Sequence, residues 1–86
     1  MREVLSATYL GGHRLLLEFD NHEKRVYDRE EFGFKGVFKF LEDEGNFQQV
    51  QIVRGALTWF QPDDMEIDLC PDSTYDRSTP IREGAL

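Results

Sequence analysis

The densest chemistry in this 86-residue chain is a run of carboxylates: Asp63, Asp64, Glu66, Asp68, Asp72 and Asp76. Period-two spacing puts Asp64, Glu66 and Asp68 on one face of a strand, with Met65, Ile67 and Leu69 on the other. Two chemistries use such a row. Oxygen ligands that converge on one point can hold a hard cation, and a small metal-dependent enzyme could use the 63–76 cluster in this way. A calcium loop would also need a glycine at its sharp turn, and this run has none. Alternatively the row stays solvated on the open face of an antiparallel sheet, where it repels phosphate and attracts cationic protein surface. That use needs no convergence. It makes Asp63, Asp64, Glu66 and Asp68 the candidate interaction surface.

The other reactive side chains do not assemble into a site. His13 and His22 fall in two successive hairpin turns, at opposite ends of one strand and therefore roughly 23 Å apart. Ligands of one ion must lie within a few ångströms, so both histidines are expected to be solvated turn residues. Cys70 has acidic neighbours, which disfavour a thiolate, and its expected place is the interior. Ser6, Ser73 and Ser78 have no nearby histidine in sequence. Gly11-Gly12 joins two strands and so opens no helix that could cradle a phosphate. Trp59 and the phenylalanines fall at core spacing. No catalytic residue, cofactor-binding residue or metal ligand is assigned, and no cofactor is expected.

Charge narrows the partners. The net charge is −7, and all of it lies in residues 42–86, where ten acidic side chains face three basic ones; residues 1–41 balance seven against seven. A phosphate backbone would be repelled, so the charge counts against a nucleic-acid role. The longest apolar run is Leu15-Leu16-Leu17, far short of a membrane span. A single cysteine permits no intrachain disulfide, and Met1-Arg2-Glu3-Val4 starts no apolar leader, so the expected setting is cytoplasmic.

The elements that must position these residues follow from periodicity. Residues 3–10 form a strand, and Gly11-Gly12 supplies a tight primed turn. Arg14 to Phe19 alternates with Leu15, Leu17 and Phe19 on the core face. The Asn21-His22 turn, with positive φ, leads into a third strand, Lys24 to Tyr27. Asp28-Arg29-Glu30-Glu31 reads as a capping box for one helical turn ending near Gly33. From Gly36 a helical stripe of Val37, Phe40 and Leu41 predicts a short helix that ends at Gly45. Val50–Val53 and Leu57–Phe60 are the next strands, Gln61-Pro62-Asp63-Asp64 is a turn, and Met65 to Leu69 alternates again. Pro71, Asp72 and Ser73 suit a closing helical turn. The predicted fold is α+β: one small antiparallel sheet, order β-β-β-α-β-β, with the helix packed on one face. Residues 1–77 form the single domain and 78–86 a C-terminal tail. The predicted core is Val4, Leu15, Leu17, Phe19, Val26, Val37, Phe40, Leu41, Phe47, Ile52, Trp59, Ile67 and Leu69.

A set of segments resembles a known family. Phe19-Asp20-Asn21-His22-Glu23-Lys24-Arg25-Val26-Tyr27-Asp28, Gly36-Val37-Phe38-Lys39-Phe40-Leu41-Glu42-Asp43, Phe47-Gln48-Gln49-Val50 and Trp59 look like the domain-of-unknown-function family numbered 2442. Asp68-Leu69-Cys70-Pro71-Asp72 is similar to that family's close. Two features depart from its pattern. His22 replaces the glycine usual in the second hairpin, and the step from Trp59 to Asp68 is longer and contains Pro62-Asp63-Asp64. The resemblance implies a small bacterial α+β domain and carries over no catalytic residue. It implies at most a protein partner, since members are often encoded beside small toxin-like proteins.

The leading functional expectation is a non-catalytic, non-enzymatic protein-interaction module, an acidic inhibitor-like partner of a protein with a basic face. The metal-dependent enzyme is the alternative. Neither nucleic acid nor membrane is expected as a partner, and exposed strand edges leave homo-oligomers open.

Overall fold

Two short antiparallel sheets and the segment between them make up the fold, which the computed structural model describes over residues 2–81. The first sheet has the order β1-β2-β3-β7, from β1 (Val4–Gly11), β2 (Arg14–Phe19), β3 (Lys24–Asp28) and β7 (Thr79–Pro80). The second has the order β4-β5-β6, from β4 (Gln51–Val53), β5 (Ala56–Phe60) and β6 (Glu66–Leu69). The α+β class is as predicted, but the single sheet is divided. Its two parts meet where the Val4 N–H donates to the Gly55 carbonyl at 2.8 Å. Gly55 is needed there: its φ is +78°, and a Cβ would stand 2.7 Å from that of Glu3.

The first hairpin turns one residue later than Gly11-Gly12. Gly12 and His13 take its two central positions, both at φ 61°, the pair of left-handed residues that a type I′ turn requires. Leu15, Leu17 and Phe19 are buried as predicted, and Leu16 is half-buried on the other face. In β3 the prediction fails by one residue. A two-residue Asn21-His22 turn would have set Val26 opposite Leu17. The turn is one residue longer: the His22 N–H donates to Phe19 O, the Phe19 N–H to Glu23 O, and His22 is the left-handed residue at φ 66°. Leu17 therefore pairs with Arg25 and Leu15 with Tyr27. One register step exchanges faces, so Arg25 and Tyr27 are buried and Val26 lies half-buried on the outer side.

Residues 29–47 link the sheets. Asp28 caps the 3-10 turn Arg29–Glu31 by accepting from the Glu30 N–H at 3.0 Å. The predicted helix from Gly36 is a 3-10 turn, Gly36–Glu42, followed by a single α-helical turn, α1 (Glu44–Phe47). Asp43 separates them: its backbone is extended, and its side chain accepts from the Asn46 N–H at 3.2 Å. With three residues per turn, Phe38 falls in line with buried Leu41, so Val37, predicted in the core, is 60% exposed.

Phe47 fills the space between the sheets. Its ring stacks on Trp59 of β5 at 5.5 Å and meets Tyr9 of β1 at 6.0 Å, both between centroids. The Trp59 Nε1–H donates to the Phe47 carbonyl at 2.7 Å. Leu57 and Ile67 complete the buried part of the second sheet, while Phe40, Ile52 and Leu69 are partly buried against it.

The last helix, α2 (Pro71–Arg77), has Pro71 in its first turn as predicted. Tyr75 stands edge-on to Phe19 at 5.0 Å and lies between the guanidinium groups of Arg2 and Arg25, at 4.3 and 4.1 Å. Arg25 donates to Ser78 Oγ at 2.7 Å and to Glu23 at 2.6 Å. Chain from the expected tail is thereby held on the first sheet: Ser78 is buried, and Thr79–Pro80 pairs with β3. The rest of that tail, 82–86, lies outside the described residues. Among the described residues no helix is long and apolar enough to cross a membrane.

Two stability measurements check this packing. Trp59→Ala should cost about 3–5 kcal/mol by loss of the ring from a packed site. Trp59→Phe keeps a ring but orphans the buried Phe47 carbonyl, and should cost about 1–3 kcal/mol in urea unfolding. A Trp59→Phe variant as stable as the parent would remove the carbonyl bond from the account.

Candidate functional site

Among the described residues, the outer face of the second sheet is an open feature. Alternation along β5 turns Leu57 and Trp59 inward, so Thr58 and Phe60 face out. Thr58 pairs with Asp68 and Phe60 with Glu66. Val53, Arg54, Ala56 and Cys70 border the same shallow depression, of about 490 Å³. Thr58 is sunk in its floor at 1% exposure, while Phe60 is 50% and Val53 37% exposed. Apolar side chains thus lie beside carboxylates on one surface.

The four acidic residues singled out in the sequence divide into two groups. Glu66 and Asp68 share the outer face of β6, as period two requires. Asp63 and Asp64 are off the strand, in the turn that leads into it. The Asp64 N–H donates to Gln61 O at 3.2 Å, Asp64 is left-handed at φ 66°, and the Asp63 carboxylate accepts from the Met65 N–H at 3.2 Å. Pro62 is at the second position of this turn, where its fixed φ fits. All four acids are exposed. Among the described residues no three His, Cys, Asp or Glu side chains are placed to hold a metal ion, so the geometry lends no support to the metal-dependent alternative.

Sequence reading missed Phe60, Val53 and Arg54 as parts of this surface. The parity of Phe60, opposite to that of Trp59, is the signal that turns it outward. Cys70, expected in the interior, is exposed at the end of β6, where it lines the depression. Pro71 begins a helix directly after it, so the chain turns at Cys70 before its side chain can enter the core.

His13 is a second correction. It was expected in solvent, but it is 7% exposed. Placement one residue further into the type I′ turn aims its ring inward, 4.8 Å from Phe34 and 5.3 Å from Phe47. Its Nδ1 lies 3.0 Å from Glu30 Oε2 and its Nε2 2.9 Å from the Glu42 carbonyl oxygen. Both partners are acceptors, and a neutral imidazole has one donor, so both bonds form together only in the imidazolium. Burial alone would depress the pKa. The bonds to Glu30 and the Glu42 carbonyl, with the charges of Glu30 and Glu44, outweigh it and hold the group above the ordinary histidine value. Glu44 is itself tied to this turn, accepting from the Tyr9 hydroxyl and, at 3.2 Å, from the Gly12 N–H. The hydrogen bond from Tyr9 is the main reason its carboxyl is held below the usual range. This cluster fastens the first hairpin to the 36–47 segment. Its groups are consumed in holding the fold.

The family described as "Protein of unknown function (DUF2442)" has a model that matches residues 4–80. No curated protein and no solved structure matches the chain.

The buried imidazolium sets a pH dependence. A folded-state pKa above the unfolded one means that the folded state binds the proton more tightly. The resulting stability is complete below the ordinary histidine value and is lost as pH rises through the folded one. The urea midpoint should therefore fall as pH rises from the ordinary histidine value, about 6.5, through the higher folded-state value. His13→Asn, which tolerates the left-handed backbone and does not titrate, should flatten that slope. A slope unchanged in the variant would assign the titration elsewhere.

Proposed function

This chain belongs to the DUF2442 family of proteins of unknown function, and we propose that it is a protein-interaction module whose acidic second sheet receives a protein with a basic face. The observation that carries this reading is the composition of one surface. Exposed Phe60 and Val53 lie beside Glu66 and Asp68, with Asp63 and Asp64 at the adjoining turn. Protein interfaces combine an apolar centre with a charged rim in this way. Phe60 supplies area, and the carboxylates supply steering and choice of partner.

A purely solubilising charge would need no apolar neighbour. Residues 42–86 hold all of the net charge, so the field is strongest on the half of the chain that forms this sheet. Such a field speeds encounter with a cationic surface and opposes phosphate backbones.

Triple substitution Asp63→Asn, Asp64→Asn and Glu66→Gln tests the proposal, with a basic partner captured from lysate and identified first. Association should slow several-fold at low ionic strength and much less at high salt, where screening already removes the steering. Phe60→Ser should leave the association rate nearly unchanged and speed dissociation. Equal rates for the triple variant and the parent at low salt would leave the acids as a solubility device.

A further inference from the structure

We propose that the free edge of β6 takes an extended basic segment of the partner as an added strand, with basic and apolar residues alternating along it. This rests on the acidic-face reading above and adds to it the manner of binding.

The described residues contain four sheet edges, and three of them are closed or blunted. In the first sheet, β1 meets the β4–β5 turn through the Val4 N–H on Gly55 O, and irregularities of register at Val4–Ser6 and Tyr9–Gly11 interrupt the rest of its edge. In the second sheet, β4 is only three residues long. β7 is two residues long and contains Pro80, which has no N–H to offer. β6 is four residues long, contains no proline and is paired only with β5.

The backbone groups open on β6 can be named. The Gln61 N–H donates to the Met65 carbonyl at 2.8 Å, so Gln61 and Met65 are a hydrogen-bonded pair. Antiparallel pairing alternates bonded and non-bonded pairs. Along the register Phe60–Glu66, Trp59–Ile67, Thr58–Asp68 and Leu57–Leu69, the bonded pairs are therefore those of Ile67 and Leu69. The N–H and C=O groups of Glu66 and Asp68 point away from β5. Outside the β5–β6 ladder, no backbone bond among the described residues uses them. An incoming strand finds four backbone groups in the correct alternation.

The side chains specify what that strand must carry. On the outer face it would lie beside the carboxylates of Glu66 and Asp68, which call for Lys or Arg. On the opposite face it would lie beside Met65, 58% exposed, and half-buried Leu69, which call for apolar residues. Strand side chains alternate between faces, so the two demands become one pattern. A second copy of this chain is a poor occupant: two β6 edges brought together would oppose Glu66 and Asp68 to the same acids.

The probe is a short capped peptide alternating lysine and valine, titrated into isotope-labelled protein and followed by amide NMR. Its control carries the same side chains with its edge-facing amides N-methylated, which removes N–H donors and keeps charge. Strand addition requires that the parent peptide bind, move the Glu66 and Asp68 amide signals downfield and slow their exchange. The methylated peptide should bind at least roughly tenfold more weakly. Equal affinity for both peptides would overturn strand addition and leave the acidic face standing as a docking surface. Absence of binding by either, at low salt, would overturn both readings. If the protein alone is a dimer with these amides already slowed, the edge belongs to a second copy, and the proposal fails.

Discussion

Phe47 is the joint on which this molecule depends. It ends a single turn of α-helix, yet its ring touches Tyr9 and His13 of the first hairpin and Trp59 of the second sheet. Its carbonyl takes the Trp59 indole N–H. A chain of 86 residues buries too little surface for two independent cores. The two sheets must therefore share one, and an aromatic side chain supplies the area that two small faces need. The buried His13 imidazolium then holds the hairpin to the same segment from the other end, through Glu30 and the Glu42 carbonyl.

That joint divides the molecule into a fastened half and an open one. Around the first sheet, charged groups are spent on structure. Arg25 binds Ser78 and Glu23, and Arg29 donates to the Tyr27 hydroxyl and the Gly33 carbonyl while its guanidinium lies 4.1 Å from the Phe38 ring. Buried arginines of this kind need such acceptors, because an unpaired charge in the interior is costly. Around the second sheet the carboxylates of Asp64, Glu66 and Asp68 make no ion pair among the described residues. The surface with free charge is thus also the one with exposed Phe60 and an uncovered strand.

Much of this was readable in the sequence where periodicity is strong. Leu15, Leu17 and Phe19 alternate without ambiguity, and Asp28, Pro62 and Pro71 carry their turn and cap geometry in their own chemistry. The failures share a cause. One additional residue in the Asn21-His22 turn moved Arg25 and Tyr27 inward in place of Val26, and one residue of shift in the first turn moved His13 from solvent to core. Hairpin register is set by turn length, and Asn, His and Gly allow several lengths, so the alternation of a short strand such as Lys24–Asp28 cannot choose among them. Val37 failed because a 3-10 turn replaced the α-helix, which rotates the stripe. The acidic surface was half legible: composition marked the carboxylates, while the exposed phenylalanine beside them follows only from its parity with Trp59.

The central claim is that the edge of β6 is open in the protein on its own. Amide hydrogen exchange of the isolated protein tests this directly, because protection reports which N–H groups are already bonded. Ile67 and Leu69 should exchange slowly, and Glu66 and Asp68, between and beside them on the same strand, should exchange quickly. Slow exchange at all four would mean that the edge is already covered, and the open acidic surface described here would not exist.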